Sequence, residues 1–215
     1  VYIFRAHFVM PEMRAPDGMA TGAAYGFTNM LLRHCREVRP SHLAVCCDHA
    51  MTRLRNEIEP EYKAQRGETP EELEPQFDLC HEIAIALGFA VYEVDDYEAD
   101  DLLGTVAAEV VKRKGRARVI TTDKDLCQLV REDGRVHVYD LAKEKTFDAE
   151  GVREKFGVSP HQIPDYLGLV GDTVDNLPGV PGIGAKSAAA VLQAFPTIEE
   201  VPDDVAEWEG VTVRG

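Results

Sequence analysis

The chain has 215 residues, enough to bury a full core in one domain, or in one large and one small domain, without disulfide staples. Its 38 acidic residues against 23 basic ones give a formal charge of −15, so any polyanionic partner must be met by a local basic face rather than by the average field. The five cysteines form no C-x-x-C pair and no apolar run reaches the ~20 residues of a membrane span; this argues against a zinc knuckle, an oxidised scaffold or a membrane partner and for a reducing, cytoplasmic setting.

Val1 to Phe8 is apolar and aromatic, and a second helical pattern runs from about Gly22 to Val38, with Tyr25, Phe27, Met30, Leu31 and Leu32 as the stripe to be buried. Pro40 stops it, and His42 to Cys47 reads as a short strand ending on Asp48. The stretch from Met51 to Gly67 is charged, holding Arg53, Arg55, Lys63 and Arg66 with Tyr62 as its one aromatic residue. Lys63 and Arg66, three apart, would share a helical face, whose plainest explanation is solvation. Thr69-Pro70-Glu71-Glu72 predicts the opening of a helix that reaches about Leu87.

Phe89 to Val94 predicts a strand, Tyr97 to Lys114 a helix, Ala117 to Thr122 a strand, Val136 to Tyr139 a further strand and Phe147 to Phe156 a helix. The alternation implies an α/β domain with a mostly parallel sheet, whose sites lie beyond the carboxyl ends of its strands. After Gly157 the pattern becomes helix, glycine-rich turn, helix: Ser159-Pro160 opens the first and Ala185 to Phe195 forms the second.

Three acidic clusters end apolar segments: Glu98-Ala99-Asp100-Asp101, Asp123-Lys124-Asp125 and Asp172-Thr173-Val174-Asp175. Together with Asp48 they offer eight carboxylates, the oxygen ligands that hard divalent cations prefer. Each has a plainer reading: helix capping for the first, a solvated turn for the second, turn chemistry for the third. The glycines of Gly179-Val180-Pro181-Gly182-Ile183-Gly184-Ala185-Lys186 would let backbone amides approach a phosphate at a helix N-terminus, with Val180 and Ile183 tucked onto the two helices; a plain helix-to-helix connection is the alternative. No G-x-x-x-x-G-K-[ST] loop and no H-x-x-x-H pair occurs.

In order, Asp48, Tyr62-Lys63-Ala64-Gln65-Arg66, Tyr97 to Asp101, Thr121 to Leu126 and Gly171 to Gly184 resemble the motifs of the structure-specific 5′ nucleases. That family includes the 5′-nuclease domain of bacterial DNA polymerase I, the stand-alone bacterial 5′-3′ exonucleases and the flap endonucleases; with no polymerase segment in these residues, the stand-alone form is the expected closer match. The resemblance implies a PIN-like nuclease domain over 1–157, with a helical arch near 51–67, and a helix–three-turn–helix DNA-binding region over 158–215. It implies two ions, Mg²⁺ or Mn²⁺: Glu98, Asp100, Asp101, Asp123 and Asp125 at the first site with Asp48 beside it, Asp172 and Asp175 at the second. Lys63 and Arg66 would be catalytic, as basic residues of the arch. Tyr62, Gly179, Val180, Gly182, Ile183, Gly184 and Lys186 would contact DNA, with a potassium ion at the hairpin.

The implied activity is metal-dependent hydrolysis of DNA near 5′ ends, at flaps, forks, nicks or gaps, leaving 5′ phosphates, by a monomer. The family's first strand ends in a metal-binding Asp that would lie two residues ahead of Val1, so the natural chain is expected to extend upstream, and beyond its last residue as well. The rival readings are a catalytically degenerate binder of branched DNA and a PIN-type ribonuclease.

Overall fold

In the computed structural model, which describes residues 1–49, 53–208 and 211, strands and helices alternate as an α/β chain. Met51 and Thr52, at the start of the expected arch, and residues 209, 210 and 212–215 of the expected C-terminal region lie outside the described residues. Two compact units divide the chain: Val1–Leu54 with Arg66–Leu102, and Arg55–Gln65 with Leu103–Gly215.

The first unit opens with helices α1 (Tyr2–Val9) and α2 (Gly22–Val38). The buried face of α2 is Ala23, Ala24, Phe27, Leu31 and His34, and Tyr25, expected inside, is 49% exposed. The shift follows from small residues: Ala23 and Ala24 let α2 pack closely, while its first-turn amides, Ala23 N–H and Ala24 N–H, donate to Gln76 Oε1 at 2.8 and 3.2 Å. Gln76 is 1% exposed and acts as a remote helix cap. It belongs to α4 (Glu74–Ala86), which begins later than predicted because Pro75, not Pro70, takes the first-turn position. Strands β1 (Ala44–Cys46) and β2 (Ala90–Tyr92) pair in parallel, Val45 opposite Val91, and deliver Asp48 just beyond the carboxyl end of β1.

Between β1 and α4 lies α3 (Arg53–Ile58). The expected arch helix stops there. Pro60 has no N–H to continue the ladder and disfavours helical backbone at Glu59, so the chain turns through 60–65 with Lys63 at φ +56°. Lys63 and Arg66 therefore do not share a helical face.

Helix α5 (Ala99–Lys112) leads to β3 (Ala117–Ile120), which pairs in parallel with β4 (Val136–Asp140); β4 pairs antiparallel with β5 (Lys145–Phe147). Phe147, predicted to begin a helix, closes β5 instead. Asp148 caps the next helix, α6 (Ala149–Phe156), by accepting Gly151 N–H at 2.9 Å. Val119, Val136, Val138 and Phe147 face a core that includes Leu126, Cys127, Val152, Ile163, Tyr166 and Leu192.

A 3₁₀ turn (Pro160–Gln162) precedes α7 (Ile163–Val170), and α8 spans Ala185–Ala194. Gln162, 7% exposed, accepts Ser159 N–H and donates to the Leu192 and Pro196 carbonyls, tying the entry of α7 to the exit of α8. Two-residue strands, β6 (Gly171–Asp172) and β7 (Leu177–Pro178), pair antiparallel and hold the turn between them. No described helix is long and apolar enough to cross a membrane.

Candidate metal centre

The eight candidate carboxylates fall into two groups of four, one in each unit. In the second, β3 ends and Thr121, 5% exposed, uses its Oγ1 to accept Asp123 N–H at 3.0 Å; Asp123 Oδ1 in turn accepts Asp125 N–H at 3.0 Å. This nested turn fixes both carboxylates before the chain enters the 3₁₀ helix Asp125–Leu129. Asp125 Oδ1 is buried without a hydrogen-bond partner among the described residues. Burial above all, then the charges of Asp123, Asp172 and Asp175, push the Asp125 carboxyl up from 3.8 to about 6, although Lys124 opposes them.

The Asp172 carboxylate is 6% exposed. Its Oδ1 accepts Val174 N–H at 2.7 Å, closing the turn, and its Oδ2 meets Lys124 Nζ at 2.9 Å. Burial would raise its pKa, but the Lys124 and Val174 hydrogen bonds outweigh burial and hold it below the usual range. Lys124 is the inverse case: burial would lower its pKa, yet its Asp172 bond and the Asp125 and Asp123 charges raise it.

The 60–65 turn is strapped onto the 172–176 turn. Lys63 N–H donates to the Asp175 carbonyl at 3.0 Å, Gln65 Nε2 donates to the Thr173 and Val174 carbonyls at 2.9 and 3.1 Å, and Asn176 Nδ2 donates to the Glu61 carbonyl at 2.7 Å. Tyr62 OH donates to Asp175 Oδ2 at 3.2 Å, and Lys63 Nζ stands 4.0 Å from Asp175 Oδ1 and 4.6 Å from the Tyr62 ring centroid. These contacts over-determine the left-handed backbone of Lys63, a conformation that costs about 1 kcal/mol or more in a residue with a side chain. Tyr62, expected to contact DNA, is 7% exposed, and its ring is committed to this strap.

In the first unit, Asp48 Oδ1 accepts Ala99 N–H at 2.7 Å and Asp101 Oδ2 accepts Glu98 N–H at 3.0 Å, so both serve the N-terminus of α5. Glu98 is 9% exposed, and the charge of Asp100 helps raise the Cys46 thiol, after burial and Cys47, to about 11. Among the described residues no three His, Cys, Asp or Glu side chains already surround one point as a metal's ligands would. The donor chemistry of the second group still fits a hard cation: four carboxylates, one with a buried unpaired oxygen, balanced by two ammonium groups.

The glycine hairpin differs from expectation. Gly179 is required by its own chain, since a Cβ there would overlap the Val170 carbonyl, and a Cβ on Gly171 would overlap the backbone of Gly179. Gly182, at φ +82°, makes the left-handed turn, Gly184 caps α8, and Lys186 is exposed on its first turn. Ile183 packs on the core, but Val180, expected to tuck inward, is 44% exposed. The sequence analysis gives no role to Lys124, Gln65, Asn176 or Thr121; their place inside the motifs at 62–66, 121–126 and 171–184 is the signal that points to them.

Family models for the 5′-3′ exonuclease N-terminal resolvase-like domain and the 5′-3′ exonuclease C-terminal SAM fold match residues 1–157 and 158–214. A DNA polymerase I of Bacillus caldotenax is 41% identical over 98% of this chain, and a 5′-3′ exonuclease of Aquifex aeolicus is 36% identical over 97%. The chain covers 70% of the Aquifex protein but 24% of the polymerase, and spans about a quarter of the length of the polymerases it matches. The bacteriophage T5 5′-exonuclease shares the fold, with a TM-score of 0.70 and 23% identity over 82% of this chain and 69% of that one. The chain belongs to the 5′-3′ exonuclease family.

Proposed function

We propose that the chain hydrolyses DNA phosphodiesters near 5′ ends, at flaps, forks, nicks or gaps, and leaves 5′-phosphate products. Residues 1–157 act as the nuclease domain and 158–215 as the DNA-binding region. The observation that carries the reading is the buried Asp125 Oδ1, without a hydrogen-bond partner among the described residues, beside the charges of Asp123, Asp172 and Asp175. An Asp125 carboxyl pushed up by burial and by the charges of Asp123, Asp172 and Asp175 is costly to ionise unless a cation joins it, and such arrangements concentrate at functional sites. The names of the relatives agree with it, and the T5 structures of like fold include complexes with zinc and with DNA and metal ions.

Asp123, Asp125, Asp172 and Asp175 would hold divalent cations, Mg²⁺ or Mn²⁺; Glu98, Asp100, Asp101 and Asp48 join them as ligand candidates on donor chemistry. When bound, two such ions supply a lowered pKa for the attacking water and neutralisation of the leaving 3′ oxygen. Lys63, buttressed by Tyr62 and pinned through its own N–H to Asp175, offsets charge on the phosphate as it becomes pentacoordinate. Arg66 is proposed for the same task. Lys124 holds Asp172 ionised and oriented. Gly182, Gly184 and Lys186, with the amides at the start of α8, meet duplex backbone, where a potassium ion could also be held, so sequence preference is weak.

Labelled 5′-flap DNA and its RNA counterpart, incubated with the protein and Mg²⁺ or Mn²⁺, test the proposal. Ion-dependent cutting of the DNA near its 5′ end, with 5′-phosphate products, is expected. Binding without cutting would leave a degenerate branched-DNA binder, and preference for the RNA would leave a ribonuclease.

A further inference from the structure

The second unit holds a concentration of positive charge that the proposed chemistry does not use. Lys143 and Lys145 lie on the β4–β5 hairpin and Lys155 on the last turn of α6. Lys145 Nζ is 4.9 Å from the Phe147 ring centroid, and Lys155 Nζ is 4.6 Å from that centroid and 4.6 Å from the centroid of Phe156. Two ammonium groups thus share one aromatic ring. Lys143 Nζ stands 3.4 Å from Asp140 Oδ2, but among the described residues neither Lys145 nor Lys155 has an ion-pair partner.

Other cations of the second unit do find acids: Arg131 pairs with Asp133, Arg153 with Glu132 and Arg113 with Glu109. Burial above all, and then repulsion from Lys143 and Lys145, lowers the Lys155 pKa although Cys127 and Asp140 oppose them, so the crowding carries an electrostatic cost that a bound anion would relieve. The rings cover one side of each ammonium and add cation–π attraction, leaving the other side for a ligand.

The cluster lies close to the DNA-binding region within the same unit. Gly157, two residues after Lys155, would bring a Cβ within 3.0 Å of Ala189 Cβ, and its carbonyl accepts Gln193 Nε2 at 2.8 Å. The end of α6 therefore abuts the C-terminal half of α8, whose N-terminus carries the hairpin. The ten residues of α8 span about 15 Å, less than half of a ~34 Å duplex turn.

We propose that Lys143, Lys145 and Lys155 form a second phosphate-backbone contact for the duplex arm that the Gly179–Gly184 hairpin engages. The inference rests on the DNA-nuclease reading. Lysines act as point charges, so the contact adds affinity without sequence preference. Anisotropy of a labelled flap substrate, titrated at several salt concentrations in Ca²⁺, tests it on the wild type and the K143Q/K145Q/K155Q variant. Each released phosphate contact lowers the log–log salt slope by about 0.9. The slope should fall by about 2 to 3 and affinity by about 10-fold or more, with the rate at saturating substrate unchanged; the K143R/K145R/K155R variant should restore both slope and affinity. An unchanged slope in the glutamine variant, with the wild type binding normally, would overturn the lysine contact alone. Failure of the wild type to bind duplex would instead overturn the reading beneath it.

Discussion

In the first unit, Asp48 and Asp101 each give a carboxylate oxygen to a backbone amide at the start of α5. In the second, Asp172 is buried and Asp125 half-buried beside one another's charge and beside Lys124, with one Asp125 oxygen paired to nothing among the described residues. The same residue type thus answers two different local demands. An aspartate that caps a helix relieves orphan donors and stabilises the fold as it stands. A half-buried carboxyl such as Asp125, pushed up by burial and by the charges of its neighbours, opposes the fold until a cation arrives. The difference marks the second group as the stronger metal candidate, although both were equally visible as acidic clusters.

The sharpest way to break the contrast is Asp125→Asn. It should lower ion-dependent cleavage on the order of 10³-fold, in quenched-flow assays on flap DNA, yet make the metal-free protein more stable at pH 7. The sign follows from linkage: a carboxyl raised from 3.8 to about 6 binds more protons folded than unfolded between those values. Its contribution to wild-type stability therefore grows as pH falls through 6 toward 4, and urea melts of the asparagine variant should lack that component. A variant no more stable than wild type at pH 7 would remove the electrostatic argument.

Lys63→Ala should slow single-turnover cleavage by about 10²-fold while leaving flap binding nearly intact. Lys63→Gly, which relaxes the φ of +56° but carries no ammonium, should be equally slow, and a fast glycine variant would make backbone strain the governing factor. The smallest expected effect lies in the first unit. Asp48→Ala should cost about 1 kcal/mol in urea melts through the lost cap, whereas Asp48→Asn, which can still accept the Ala99 N–H, should cost only a few tenths. If the asparagine variant also keeps full ion-dependent cleavage, Asp48 is a cap and no ligand.

Much of this was legible in the sequence because it is local. The alternation of apolar segments gave β1, β2, α5, β3 and β4 within a few residues, and the ordered motifs identified the family before any coordinates. Long-range hydrogen bonds left no comparable trace. Nothing in the periodicity tells that Gln76 caps α2 from another helix, that Tyr62 turns inward to Asp175, or that Lys63 lies in a turn strapped to residues 173–176. Pro60 and Pro75 are helix punctuation in the sequence itself, but the charge pattern around the first and Thr69-Pro70 before the second point to other boundaries. The reason for Gly179 was hidden as well, since the spacing suggests a ligand where the fold places the chain's own backbone.

Gly171 and Gly179 touch back to back, and the segment between them carries Asp172 and Asp175. Any side chain at either position would spread the β6–β7 base and so change the aim of both acids without altering a single charge. Directed-evolution libraries that diversify the loop at 173–176 should accordingly hold these two codons constant, because alleles lost there would be mistaken for failures of chemistry.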